Sequence, residues 1–139
     1  MKIKALLARV LPVAAVAMAS VTLGSGTASA ATWEYGPWND ETKGARAYFT
    51  KKGDHLKICD TKSDGRWAIA WVEVGEGSNA RYRFDLPDTK NNGKCSYSKA
   101  SMGGVYNLPE KKWIQVTVCR SVGNGCDNGA RTYEIYNNR

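Results

Sequence analysis

Residues 113–119 read Trp113-Ile-Gln-Val-Thr-Val-Cys119. Ile114, Val116 and Val118 fall on one side of an extended chain; Trp113, Gln115 and Thr117 fall on the other. Apolar residues at every second position mark a strand with one face in a core and one in water. The same period recurs along the chain. Ala45, Ala47 and Phe49 alternate with Arg46, Tyr48 and Thr50, and Leu56 and Ile58 with His55, Lys57 and Cys59. Tyr82, Phe84 and Leu86 alternate with Arg81, Arg83 and Asp85, and Tyr133 and Ile135 with Thr132, Glu134 and Tyr136. By this parity Phe49, Tyr82 and Phe84 belong to the core.

Residues 66–74 differ. Ala68, Ala70, Val72 and Val74 share one side, and Trp67, Ile69 and Trp71 the other. A strand apolar on both faces is central, or its outer face meets something else. Turn signals separate the runs: Lys52-Gly53-Asp54, Ser63-Asp64-Gly65, Gly75-Glu76-Gly77, Asn92-Gly93 and Asn128-Gly129. Six short strands with this punctuation predict an all-β fold, a small antiparallel β-sandwich or barrel.

Two segments fall outside the scheme. Residues 31–43 hold Trp33, Tyr35 and Trp38 around Gly36-Pro37 and read as an extended aromatic arm before a single domain at 44–139. Residues 87–109 show little alternation, which is long for a connection without a use. Cys95 would pin this segment near its middle, and the part around Tyr97 is a candidate short strand.

Upstream, Lys2, Lys4 and Arg9 precede an uncharged stretch, residues 10–23, and Ala28-Ser29-Ala30 supplies small residues for a signal peptidase. Residues 1–30 therefore read as a secretory signal peptide. The apolar stretch is 14 residues long, short of the roughly 20 that span a bilayer. The expected product is secreted and extracellular, with no membrane partner. Without the leader, 17 Lys and Arg face 13 Asp and Glu, a net charge of +4 over 109 residues. The only basic clusters are the pairs Lys51-Lys52 and Lys111-Lys112, whereas nucleic-acid binding usually needs a basic stripe.

All four cysteines, Cys59, Cys95, Cys119 and Cys126, follow the leader. An even count in a small exported domain reads as two disulfides. No Cys-x-x-Cys occurs and His55 is the only histidine, so no metal site is expected. Three pairings are possible. Cys59–Cys95 with Cys119–Cys126 is favoured, because the span from 119 to 126 holds two glycines that let it turn sharply.

Catalytic patterns are missing. His55 has no identifiable nucleophile or acid partner, no Gly-x-Ser-x-Gly occurs, and paired cysteines leave no thiol. Nothing singles out a carboxylate pair for glycoside hydrolysis, and one histidine with scattered arginines is poor material for a ribonuclease. Asp60-Thr-Lys-Ser-Asp64-Gly65 resembles the start of a calcium loop, but Lys62 stands where an oxygen ligand belongs and Trp71 where a bidentate Glu would be. The better reading is an Asp-rich turn. No enzyme activity and no cofactor are expected.

The aromatics carry the functional signal. Five Trp, seven Tyr and two Phe all follow the leader, and several stand where a core does not need them. Trp33, Tyr35 and Trp38 on the arm, with Lys94, Tyr97 and Lys99 on the long loop, are the candidate binding residues. Rings in such places suit protein interfaces or stacking on sugars.

Gly44-Ala-Arg-Ala-Tyr-Phe49, Gly53-Asp54, Ile58-Cys-Asp-Thr-Lys-Ser-Asp-Gly65 and Val116-Thr-Val-Cys119 together resemble a group of small secreted actinobacterial proteins. Some of these are similar to the adaptor subunits of umbrella-shaped toxin particles secreted by Streptomyces, in which an adaptor joins a lectin subunit to a large toxin. The resemblance implies a non-catalytic protein-binding adaptor that grips one partner through the arm and another through the loop. Two alternatives remain open. One is an inhibitor of an extracellular hydrolase, presenting Lys94 or Lys99 on a tethered loop. The other is a carbohydrate- or cell-wall-binding module using exposed Trp.

Overall fold

The computed structural model describes residues 32–123 and 125–138; the expected signal peptide lies outside them. Among the described residues eight strands form two four-stranded antiparallel sheets. The front sheet orders β1 (Tyr35–Asn39), β2 (Ala45–Thr50), β3 (His55–Asp60) and β6 (Ser96–Ser98) side by side. The back sheet orders β5 (Arg81–Asp88), β4 (Trp67–Val74), β7 (Lys112–Ser121) and β8 (Asn128–Asn137). The only helical elements among the described residues are three 3-10 turns of three residues each.

Alternation sorts the side chains as the sequence predicts. Ala45, Ala47, Phe49, Leu56 and Ile58 from the front sheet meet Ala68, Ala70, Val72, Phe84, Ile114, Val116 and Val118 from the back sheet in one core. β4 is central, flanked by β5 and β7, which explains its apolar residues on both faces. The short strand around Tyr97 is β6, paired with β3.

Two expectations are corrected, and a β-bulge is the cause of each. The segment expected as an arm outside the sheet contributes β1, an edge strand paired with β2. Tyr35 lies opposite Phe49 and Trp38 opposite Ala47, so β1 spends three residues where β2 spends two. The extra residue turns both rings inward despite their odd spacing. It falls at Gly36-Pro37, on a sheet edge where proline is tolerated. Gly36 has φ +111°, and a Cβ there would meet the Ala47 carbonyl oxygen at 2.7 Å, so only glycine fits. The second correction is Tyr82, expected in the core but 52% exposed. Val72 pairs with Phe84 and Glu73 with Tyr82, leaving Arg83 as the extra residue of β5. Beyond the bulge the parity is inverted, and Tyr82 leaves the core.

Arg83 then organises the long segment. Its guanidinium donates to the carbonyls of Gly104, Val105 and Asn107 at 3.0–3.2 Å, and Tyr106 packs edge-on against Phe84. The stretch with little alternation is therefore the end of β5, then the expected short strand around Tyr97 as β6, then two 3-10 turns tied to the back sheet.

Both disulfides are those favoured from the sequence, Cys59–Cys95 and Cys119–Cys126, a content that fits an extracellular protein. No helix among the described residues is long and apolar enough to cross a membrane.

Buried polar groups close the two ends of the sandwich. At one end Asp54 accepts from the Leu108 amide at 2.9 Å and from Asn137 Nδ2 at 3.4 Å. At the other, Asp40 accepts from the Gly44 and Ala45 amides at 2.7 and 2.9 Å. Beside it the nearly buried Arg120 forms a bidentate ion pair with Asp64, with Nη1 2.6 Å from Oδ2. A Cβ on Gly44 would meet Arg120 Nε at 2.5 Å, so this glycine leaves room for the guanidinium.

Candidate functional site

With the core accounted for, the remaining rings lie on the outward faces of the two sheets. On the front sheet, Tyr48 and Lys57 are cross-strand partners, and Lys57 is also paired with Tyr97 on β6. Trp33, just before β1, packs against Tyr48 with ring centroids 5.9 Å apart. The Lys57 ammonium lies 4.0 Å from the Tyr48 centroid and 4.7 Å from that of Trp33. Burial beside these rings lowers the pKa of Lys57. Arg46 shares this face, its Nε donating to Asn39 Oδ1 at 3.2 Å. The front face is thus a row of rings with cations among them, an arrangement that attracts anionic or aromatic groups.

This face receives part of the expected site and loses part of it. Trp33 and Tyr97 are both on the outer surface, and Tyr97 is 58% exposed. Lys94 and Lys99 are exposed on either side of β6. Tyr35 and Trp38 are turned inward: both pack against the core, and Trp38 stacks on Tyr133 at 5.1 Å. The Tyr133 hydroxyl in turn donates to the Asn39 carbonyl at 2.7 Å. Those two rings brace the fold.

The outward face of the back sheet carries a second set, which parity alone does not assemble because it places Tyr82 in the core. Trp71 and Tyr82 pack at 4.6 Å, and Trp113 meets Tyr136 edge-on at 5.4 Å. Asp85 accepts from the Tyr82 hydroxyl at 2.7 Å, which raises the pKa of that phenol. Glu73, Gln115 and Glu134 are consecutive cross-strand partners. Gln115 Nε2 donates to Glu134 Oε1 at 2.6 Å and to the Gly77 carbonyl at 3.2 Å. Thr117 and Thr132 hydroxyls are 2.7 Å apart. The loop closed by Cys119–Cys126 returns over this face, so that Gly125 and Cys126 share with Trp71, Glu73 and Thr117 a groove of about 260 Å³.

The Asp-rich turn is occupied by its own arginine. The Arg120 hydrogen bonds hold the Asp64 carboxyl below the usual carboxylate range, while burial pushes Asp60 up. Among the described residues no group of three or more His, Cys, Asp or Glu side chains is arranged to hold a metal ion. His55 is an exposed residue at the start of β3.

Comparison with protein-family models, with curated proteins and with solved structures found no match.

Proposed function

We propose that this chain is an exported, non-catalytic protein-binding module that joins two partners, as an adaptor of an extracellular complex does. The observation that carries the reading is the pair of opposed outward faces. Each bears exposed rings and a disulfide-pinned loop, and the two differ in charge. Lys57 and Arg46 lie on the front face, and Glu73, Asp85 and Glu134 on the back. Exposed aromatics set among charges suit protein interfaces. Two faces on opposite sides of one thin sandwich can hold two partners without collision. The resemblance to toxin-particle adaptors would make those partners a lectin subunit and a large toxin, and a leader at residues 1–30 would place the complex outside the cell.

The test is native purification of the chain from culture supernatant, with the charge reversals Lys57→Glu and Glu134→Lys compared with the parent. Each reversal should remove one co-purifying protein and leave the other. Elution of the parent alone, at the mass of a single chain, would overturn the adaptor reading.

A further inference from the structure

The groove on the back sheet has a composition that selects its ligand. Its walls are the Trp71 indole and the chain at Gly125 and Cys126, and its polar lining is Glu73 and Thr117. Most hydrogen-bonding groups around it are already engaged. The Thr117 hydroxyl is paired with Thr132, both hydrogens of the Gln115 amide are used, Glu134 accepts from that amide, and Asp85 accepts from Tyr82. Glu73 is half-buried, and its carboxylate has no hydrogen-bond or ion-pair partner among the described residues. No Lys or Arg occupies an outward ladder position of this sheet.

We infer that this groove is an anchor site for a lysine or arginine side chain of a protein partner. A neutral sugar draws no benefit from a net charge beside its stacking ring, and Glu73 is the one charged side chain among the described residues that line the groove. A cation on an aliphatic stem matches each element. The stem lies along the indole and the disulfide, the charged head reaches Glu73, and the ring face adds cation–π attraction. Partial burial strengthens the ion pair relative to one in open solvent. The three unopposed carboxylates of the face give a basic partner surface its electrostatic complement. The inference rests on the protein-binding reading and names the chemistry of one partner.

The test uses small probes, so it does not depend on finding that partner. Nα-acetyl-lysine methylamide and Nα-acetyl-arginine methylamide are titrated into the full chain without its leader, with the norleucine analogue as the uncharged control. The indole N–H resonance of Trp71 is followed. The cationic probes should give a saturable shift in the millimolar range and the control none. Glu73→Gln should weaken that binding by about tenfold or more, while Glu134→Gln leaves it within about twofold. Should Glu73→Gln fail to fold, raising salt from about 50 to 500 mM must weaken the lysine probe selectively in the parent protein. An equal response to norleucine, a shift produced instead by chitotriose or cellotriose, or no cationic response would overturn the inference. Loss of the probe site with partner capture intact leaves the adaptor reading standing. Loss of capture with the probe site intact removes the adaptor reading alone.

Discussion

The inward faces of the two sheets resemble each other, and their outward faces do not. Inward, both present small and branched apolar residues: Ala45, Ala47 and Ile58 in front, Ala68, Ala70 and Val72 behind. Close packing between two sheets demands such a set and leaves little freedom. Outward, the front sheet shows Lys57 held between Trp33 and Tyr48, and the back sheet shows Trp71 and Tyr82 among three carboxylates. The fold does not require that segregation. It is the part of the molecule free to encode recognition, and the small net charge of residues 31–139 conceals it by summing the two faces.

The severest way to break the comparison is to remove the edge of one sheet. A chain beginning at Lys43 lacks β1, uncovers Phe49 and Tyr133, and leaves three strands to oppose four. Trp38→Ala alone should cost about 3 kcal/mol, a fall in melting temperature of roughly 12–24 °C, and the truncation more. Trp33→Ala, on the outward face, should cost less than about 1 kcal/mol. Thermal melts by circular dichroism separate these outcomes. A truncated chain that melted with the parent would show that β1 braces nothing.

That contrast between Trp33 and Trp38 also marks where the sequence stops being legible. Alternation was enough to place the residues of β2, β3, β4 and β7 and those of β8 from Arg131 to Asn137, because along those runs side chains follow a period of two. It failed at Gly36-Pro37 and at Arg83, where one extra residue inverts parity. A bulge has no periodic signal of its own; it is decided by the partner strand, which a single run of sequence does not show. The irregular spacing of the rings at 33, 35 and 38 was the available hint. The acidic groove is not legible either, because its wall at Gly125 and Cys126 comes from a loop whose place beside Trp71 and Glu73 no single run of sequence shows. The disulfide pairing was legible because the short glycine-containing span from 119 to 126 can close on itself. The cation on the front face was not, because Lys57 acquires its rings from two other segments.

The disulfides offer a smaller perturbation, one for each face. Cys59–Cys95 has a sequence separation of 36 and Cys119–Cys126 one of 7. In the chain-entropy model their loops are worth about 3.8 and 2.5 kcal/mol. Replacing each pair by serine should therefore lower stability more on the front than on the back, measured by urea unfolding. The functional order should be the reverse for cationic probes. Opening Cys119–Cys126 removes a wall of the groove, whereas opening Cys59–Cys95 leaves that wall in place. If both replacements abolished probe binding equally in chains that still fold, the groove would depend on global rigidity rather than on its own wall.

The smallest effect concerns the end of the sandwich where the two sheets meet. Asp64 lies in the connection leaving the front sheet, and Arg120 on the back sheet. The folded pKa of Asp64 lies below its ordinary value of 3.8, chiefly through the Arg120 hydrogen bonds. Stability from this pair is therefore fully present above that ordinary value and is lost as pH falls through the lower folded value. Asp60, a few residues earlier, has the opposite sign. Burial raises its pKa above 3.8, so its ionised form weakens the fold at neutral pH, and that penalty is relieved as pH falls through the raised value. On acidification the two effects should appear in sequence, a gain above pH 3.8 and a loss below it. Asp60→Asn should remove the gain and keep the loss. Asp64→Asn should lower stability at neutral pH, leave Arg120 without its counter-charge, and converge on the parent in strong acid. Because Asp64 is exposed to solvent, the difference at neutral pH should shrink with added salt. Urea midpoints measured across the acid range decide the matter. An Asp64→Asn curve parallel to the parent at every pH would mean that the ion pair carries no pH-dependent stability, and that packing around Gly44 and Arg120 alone closes this end of the fold.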